Sequence, residues 1–162
     1  MKNLTAYIAE KFQITKDSKL LYKYYPKDKF ELREILRERL AKDKDADLND
    51  IDVSQIDDMG LRGFPDDNGL FEDLDPGNIK IDKWDVSNVK NMHNTFIGCT
   101  KFNCNLSKWD VSNVQNMVTM FYGCEKFEGK GLENWNPVKC KDMSYMFLGC
   151  DSLKNIPSWY EA

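Results

Sequence analysis

The chain has 162 residues, of which 41% are apolar, 31% charged and 12% aromatic. That is about one ordinary domain with enough apolar material for a core, which excludes a disordered tail, a collagen-like fibre and a small cysteine-stapled miniprotein. With 23 basic against 27 acidic residues, the net charge of −4 gives no general attraction to nucleic acid or to an anionic membrane, and neither is an expected partner.

The first eighteen residues, MKNLTAYIAEKFQITKDS, hold no apolar run of signal-peptide length. No stretch approaches the roughly 20 apolar residues of a membrane span. Five cysteines are present and none forms a CxxC pair. Together these features predict a cytoplasmic chain.

In chain order, Leu4, Ile8 and Phe12 are spaced for one face of a helix over residues 3–12. Residues 20–26, LLYKYYP, read as a short strand stopped by Pro26. A second helix is predicted over residues 29–42, with Asp28 and Glu31 as a capping-box pair and Phe30, Ile35, Leu36 and Leu40 as its apolar stripe. Residues 1–46 are expected to form a helical cap, because the open end of a stacked repeat invites pairing with other chains.

Charge changes abruptly after that. Residues 1–50 hold 12 basic and 10 acidic side chains, residues 51–80 hold 2 and 8, and residues 81–162 hold 9 and 9. Two pieces of this region imitate calcium loops. The first begins with Asp45, Asp47 and Asn49 but has Asp50 at the sixth position and Ile56 at the twelfth; the second has Phe64 where the first ligand belongs. A solvated acidic insertion over residues 63–78 is the expectation, with no bound metal.

The remainder repeats. WDVSNVKNM begins at Trp84, WDVSNVQNM at Trp109 and the weaker WNPVKCKDM at Trp135, and Trp159 closes the series at intervals of 25, 26 and 24 residues. A degenerate earlier copy, IDVSQIDDM, begins at Ile51. The phase carries through Met92, Met117 and Met143, through Phe96, Phe121 and Phe147, and through the Gly-Cys pairs beginning at Gly98, Gly123 and Gly149. Asn91, Asn116 and Asp142 precede the methionines as N-cap residues, and the glycines suit the left-handed position that ends a helix. Each unit therefore predicts about one and a half turns of helix followed by a strand-like piece ending in Leu106, Leu132 or Ile156 before the tryptophan. A unit of about 25 residues is too short for a full crossover, so the chain must coil on itself. The expected fold is an α/β repeat: a solenoid of about four coils, each a short strand plus a short helix, over residues 47–162.

These motifs resemble the BspA-type leucine-rich-repeat family, whose unit looks like WDVSNVxNMxxMFxGCxxFNxDLSxW. The lead-in PKDKFELREILRERL is similar to that of short, signal-less members from bacteria and their phages. The resemblance implies a leucine-rich-repeat-like solenoid with an amino-terminal cap. Longer members are typically surface proteins of adhesion and binding.

For chemistry the sequence offers little. The phased cysteines Cys99, Cys124 and Cys150 form a straight ladder, which does not converge on zinc as four ligands must. His93 is the only histidine, no nucleophile or phosphate-loop motif occurs, and no catalytic residue or cofactor is expected. The four tryptophans fit a stacked core better than a sugar platform. Solenoids bind through positions the fold leaves free. Comparing the copies singles out His93, Asn94 and Thr95, then Lys108, Tyr122, Glu133, Tyr145 and Leu148 among these. Tyr122, Tyr145 and Leu148 are the apolar anchors, with His93, Lys108 and Glu133 as polar contacts to a protein partner. The expected function is a non-enzymatic scaffold for protein–protein interaction. Its alternatives are a structural protein self-associating through the carboxy-terminal solenoid end, and an adhesin or carbohydrate-binding module.

Overall fold

Helix α1 spans Lys29–Lys42, matching the predicted bounds. Its start is built locally: the Asp28 side chain accepts from the Glu31 N–H, and the Glu31 carboxylate accepts from the Lys27 N–H at 3.0 Å. The computed structural model describes residues 22–60 and 69–160. The helix expected over residues 3–12 lies outside them, as do Phe64 and the rest of the second calcium-like loop up to residue 68.

The buried face of α1 is Leu32, Leu36 and Leu40, an i, i+4, i+8 row, with Ile35 partly buried beside it. Phe30 was expected on that stripe but is 62% exposed. Two residues are about 200° of helical rotation, so a residue two before Leu32 must face away from it. The predicted strand over residues 20–26 reduces, in its described part, to one parallel bridge between Tyr24 and Ile51.

Beyond α1 the described chain is mostly irregular. It contains a single 3-10 turn, Leu132–Asn134, and isolated bridges instead of extended strands. The short helix and strand expected in each copy do not form. Asn94, Thr119 and Tyr145, all in the predicted helical turns, have φ of 59°, 53° and 57°. A left-handed residue in the middle of a turn and a half breaks an α-helical run. The backbone donors go elsewhere. Met92, Asn94, Phe96 and Gly98 donate to the carbonyls of Asn116, Val118, Met120 and Tyr122 at 2.8–3.1 Å. Met117, Thr119, Phe121 and Gly123 donate in turn to Asp142, Ser144, Met146 and Leu148 at 2.8–3.0 Å. Parallel bridges link Asp58 to Asn91, Asn91 to Asn116 and Asn116 to Asp142, so the copies lie on one another in register.

The asparagines and aspartate at these bridges still cap, but over two residues. Their side chains accept from the backbone N–H of His93, Val118 and Ser144 at 2.9–3.2 Å. The glycines do adopt the left-handed conformation predicted for them, with φ of 69°, 71° and 78° at Gly98, Gly123 and Gly149. A Cβ on Gly123 would stand 3.6 Å from the Gly98 Cα, and one on Gly149 would stand 3.2 Å from the Gly123 Cα.

One aromatic core runs through the stack. Phe71, Phe96, Phe121 and Phe147 stack at centroid spacings of 5.0, 5.4 and 5.9 Å. Trp84, Trp109, Trp135 and Trp159 stack beside them at 6.5, 6.4 and 5.9 Å. Phe71 is thus the first copy's member of the phenylalanine column. Leu70, Phe71 and Leu74 are buried although they fall in the stretch expected to be a solvated acidic loop.

Candidate functional site

The two ends of the stack differ in what the backbone presents. At the first copy, Gly60, Leu70 and Glu72 occupy the positions whose equivalents, Val118, Met120 and Tyr122, give their carbonyls to the preceding copy. Here α1 supplies the donors. The Lys29 ammonium donates to the Gly60 carbonyl, and the Arg33 guanidinium donates to the Leu70 carbonyl at 2.9 Å and the Glu72 carbonyl at 2.6 Å. Lys44 adds a bond to the Leu74 carbonyl at 2.7 Å. Cationic side chains, which are donors only, close a row of acceptors. Sequence reasoning saw these residues only as charges on a helix.

At the other end, Met143, Tyr145, Phe147 and Gly149 are the equivalents of the donors in the two preceding rows. Their backbone N–H groups meet no acceptor among the described residues. Their neighbours' N–H groups are used locally: Met146 donates to Met143, Leu148 to Tyr145 and Cys150 to Phe147. This edge therefore presents donors without alternating acceptors. No residue pattern announces it, because it arises from the left-handed backbone at Tyr145.

The predicted anchors cluster on this part of the molecule. Tyr122 is 42% exposed, Tyr145 66% and Leu148 55%. Tyr122 and Leu148 hold the same position in adjacent copies, and the Leu148 N–H bonds to the Tyr145 carbonyl at 3.2 Å. His93 is half-buried on the equivalent segment two copies earlier. Asn94 and Thr95, which variation between copies points to as free positions, are instead buried: the Thr95 hydroxyl donates to the Met92 carbonyl at 2.8 Å, and the Thr119 hydroxyl donates to the Asn94 side chain. Lys108 and Glu133 are exposed but lie on another segment. Lys108 lines a polar groove of about 350 Å³ with Asn78, Lys80 and Asn103, and Glu133 lines one of about 580 Å³ with Glu128, Lys130 and Ile156. The six residues thus divide between two surfaces. Ile156, the apolar residue before the last tryptophan, is 58% exposed, whereas its equivalents Leu106 and Leu132 are buried.

The remaining candidates are committed to structure. Asp45 accepts from the Asn78 N–H, Asp47 from the Asn49 N–H, and Asn49 from the Lys83 N–H, so the first calcium-like loop spends its oxygens on backbone bonds. The ladder cysteines are buried, and their thiols face the carbonyls of Phe71, Phe96 and Phe121. Burial pushes the thiols of Cys99 and Cys124 well up and that of Cys150 to about 11, which keeps them protonated. Trp84, Trp109 and Trp135 are buried with their rings stacked face over face, and Trp159 at the end of the column is half-buried.

A family model described as "Mycoplasma protein of unknown function, DUF285" matches residues 65–161. The chain belongs to this family. The DUF285 match covers the three well-formed copies and leaves α1 outside it. No curated protein and no solved structure matches the chain. Among the described residues no helix is long and apolar enough to cross a membrane.

Proposed function

We propose that this chain is a BspA-like, leucine-rich-repeat-type solenoid that acts as a non-enzymatic scaffold, binding a protein partner as an adaptor or inhibitor. Each coil in this reading is one repeat copy, and α1 is its amino-terminal cap. The observation that carries the proposal is the exposure of Tyr122, Tyr145 and Leu148 on adjacent copies, while the aromatic residues that recur in every copy are buried or packed against the core. Exposed aromatic and aliphatic side chains clustered on a rigid support are the usual anchors of a protein interface. The fold has no need of these three in that position, since the core closes without them. The burial of Trp84, Trp109 and Trp135 favours this reading over a carbohydrate platform.

The test is affinity capture from host lysate with the tagged chain and with a Tyr122→Ala/Tyr145→Ala variant. The proposal predicts a reproducible partner retained by the first and lost by the second. Retention unaffected by the double substitution would contradict it.

A further inference from the structure

We infer that the open donor edge at Met143, Tyr145, Phe147 and Gly149 is the docking surface for an acidic segment of a protein partner. The inference deepens the scaffold reading above and rests on it.

The argument begins with what this edge accepts inside the molecule. The two preceding donor rows each meet four carbonyls contributed by alternate residues of the next copy. An ordinary extended strand cannot supply that row. Along a strand edge N–H and C=O groups alternate, so half the contacts would set donor against donor. A second copy of this chain fails for related reasons. Its matching carbonyls at Gly60, Leu70 and Glu72 are already taken by Lys29 and Arg33, and its own open edge is a donor row like this one.

Groups that accept without donating satisfy the edge, and among side chains these are ionised Asp and Glu. The opposite end shows the converse solution, with donor-only Lys29 and Arg33 laid over a row of carbonyls. The four N–H groups come from alternate residues and are not balanced by carbonyls between them, so the edge carries positive partial charge that favours anionic oxygen. The surrounding charge agrees, with Lys139, Lys141 and Lys154 against Asp142 and Asp151 between residues 138 and 154. One of those acids is engaged: the Asp142 carboxylate already accepts from the Ser144 N–H and hydroxyl. Tyr145 and Leu148 flank the donors and add apolar contact.

The experiment is a titration of the full ¹⁵N-labelled chain with acetyl-hexaglutamate amide, using the hexaglutamine peptide as control. The expected result is saturable movement of the Met143, Tyr145, Phe147 and Gly149 amide signals, at least tenfold weaker with hexaglutamine. Equal response to both peptides, or movement confined to other amides, would overturn the inference. Movement of these signals on raising protein concentration alone would assign the edge to self-association and overturn it too. Once a captured partner is in hand, hexaglutamate should displace it. A partner that stays bound at saturating peptide defeats this inference while leaving the scaffold reading intact; a chain that captures nothing defeats the scaffold reading instead.

Discussion

The indole N–H of Trp109 donates to the backbone carbonyl of Ile81, in the preceding copy, at 3.0 Å. Trp84 does the same to Leu48 at 2.9 Å, Trp135 to Leu106 at 3.0 Å and Trp159 to Leu132 at 2.8 Å. The stacked rings bring apolar burial and the indole nitrogen ties each copy to the one before, so one residue type does both. Trp109→Phe keeps a ring but strands a buried carbonyl, at a cost of about 1–3 kcal/mol for the unsatisfied group plus the lost volume. Trp159→Phe, at a half-buried position, is expected to cost less because water reaches its partner. Urea denaturation of the two variants checks the order, and equal losses would contradict it.

The glycine column makes a graded prediction. Gly98→Ala meets no atom within 4 Å and suffers only the left-handed backbone, about 1–2 kcal/mol. Gly149→Ala carries the same backbone penalty and also presses its Cβ to 3.2 Å from the Gly123 Cα. It should be the more destabilising of the pair. Thermal melts that rank Gly98→Ala as the worse substitution would exclude this packing.

At the α1 end, Arg33 holds the outward carbonyls of the alternate residues Leu70 and Glu72 with one fork and also donates to the Gly69 carbonyl. Arg33→Met is expected to lose about 2 kcal/mol, the order of hydrogen bonds to a charged group. Arg33→Lys recovers only part of that, because a single ammonium lacks the planar fork that spans both oxygens. Full rescue by lysine would mean that charge alone matters there.

The cysteine ladder sets an alkaline limit. Burial raises the Cys99 and Cys124 thiols, whereas an unfolded thiol ionises near about pH 8.5. Above that pH the folded state holds more protons than the unfolded state. The ladder's contribution is therefore complete below about pH 8.5 and falls as pH rises toward the folded values. The slope is about 1.4 kcal/mol per pH unit for each buried thiol. Cys124→Ala should flatten the decline between about pH 9 and pH 11 by one proton's worth. Parallel declines in the two proteins would refute that account.

What could be read from the sequence divides by range. The bounds and cap of α1 were legible because Asp28 and Glu31 act within one turn. The aromatic, glycine and cysteine columns were legible because equivalent residues recur at nearly constant spacing. Phe30 is apolar but stands about 200° around the helix from Leu32, so residue type alone does not place it on the buried face. The helix in each copy was wrong for a deeper reason: Asn94, Thr119 and Tyr145 are left-handed without being glycine, and the bonds that sustain them come from another copy. Variation between copies correctly marked Tyr122, Tyr145 and Leu148 as exposed. It failed at Thr95, whose hydroxyl partners include the Met59 carbonyl of the irregular first copy.

Directional stacking is the claim on which the rest depends, and residue-resolved amide hydrogen exchange tests it most directly. Slow exchange is predicted at Met92, Phe96, Gly98, Met117, Phe121 and Gly123, with fast exchange at Met143, Phe147 and Gly149 in the free chain. Equal protection of all three rows, or protection running in the opposite order, would contradict the account.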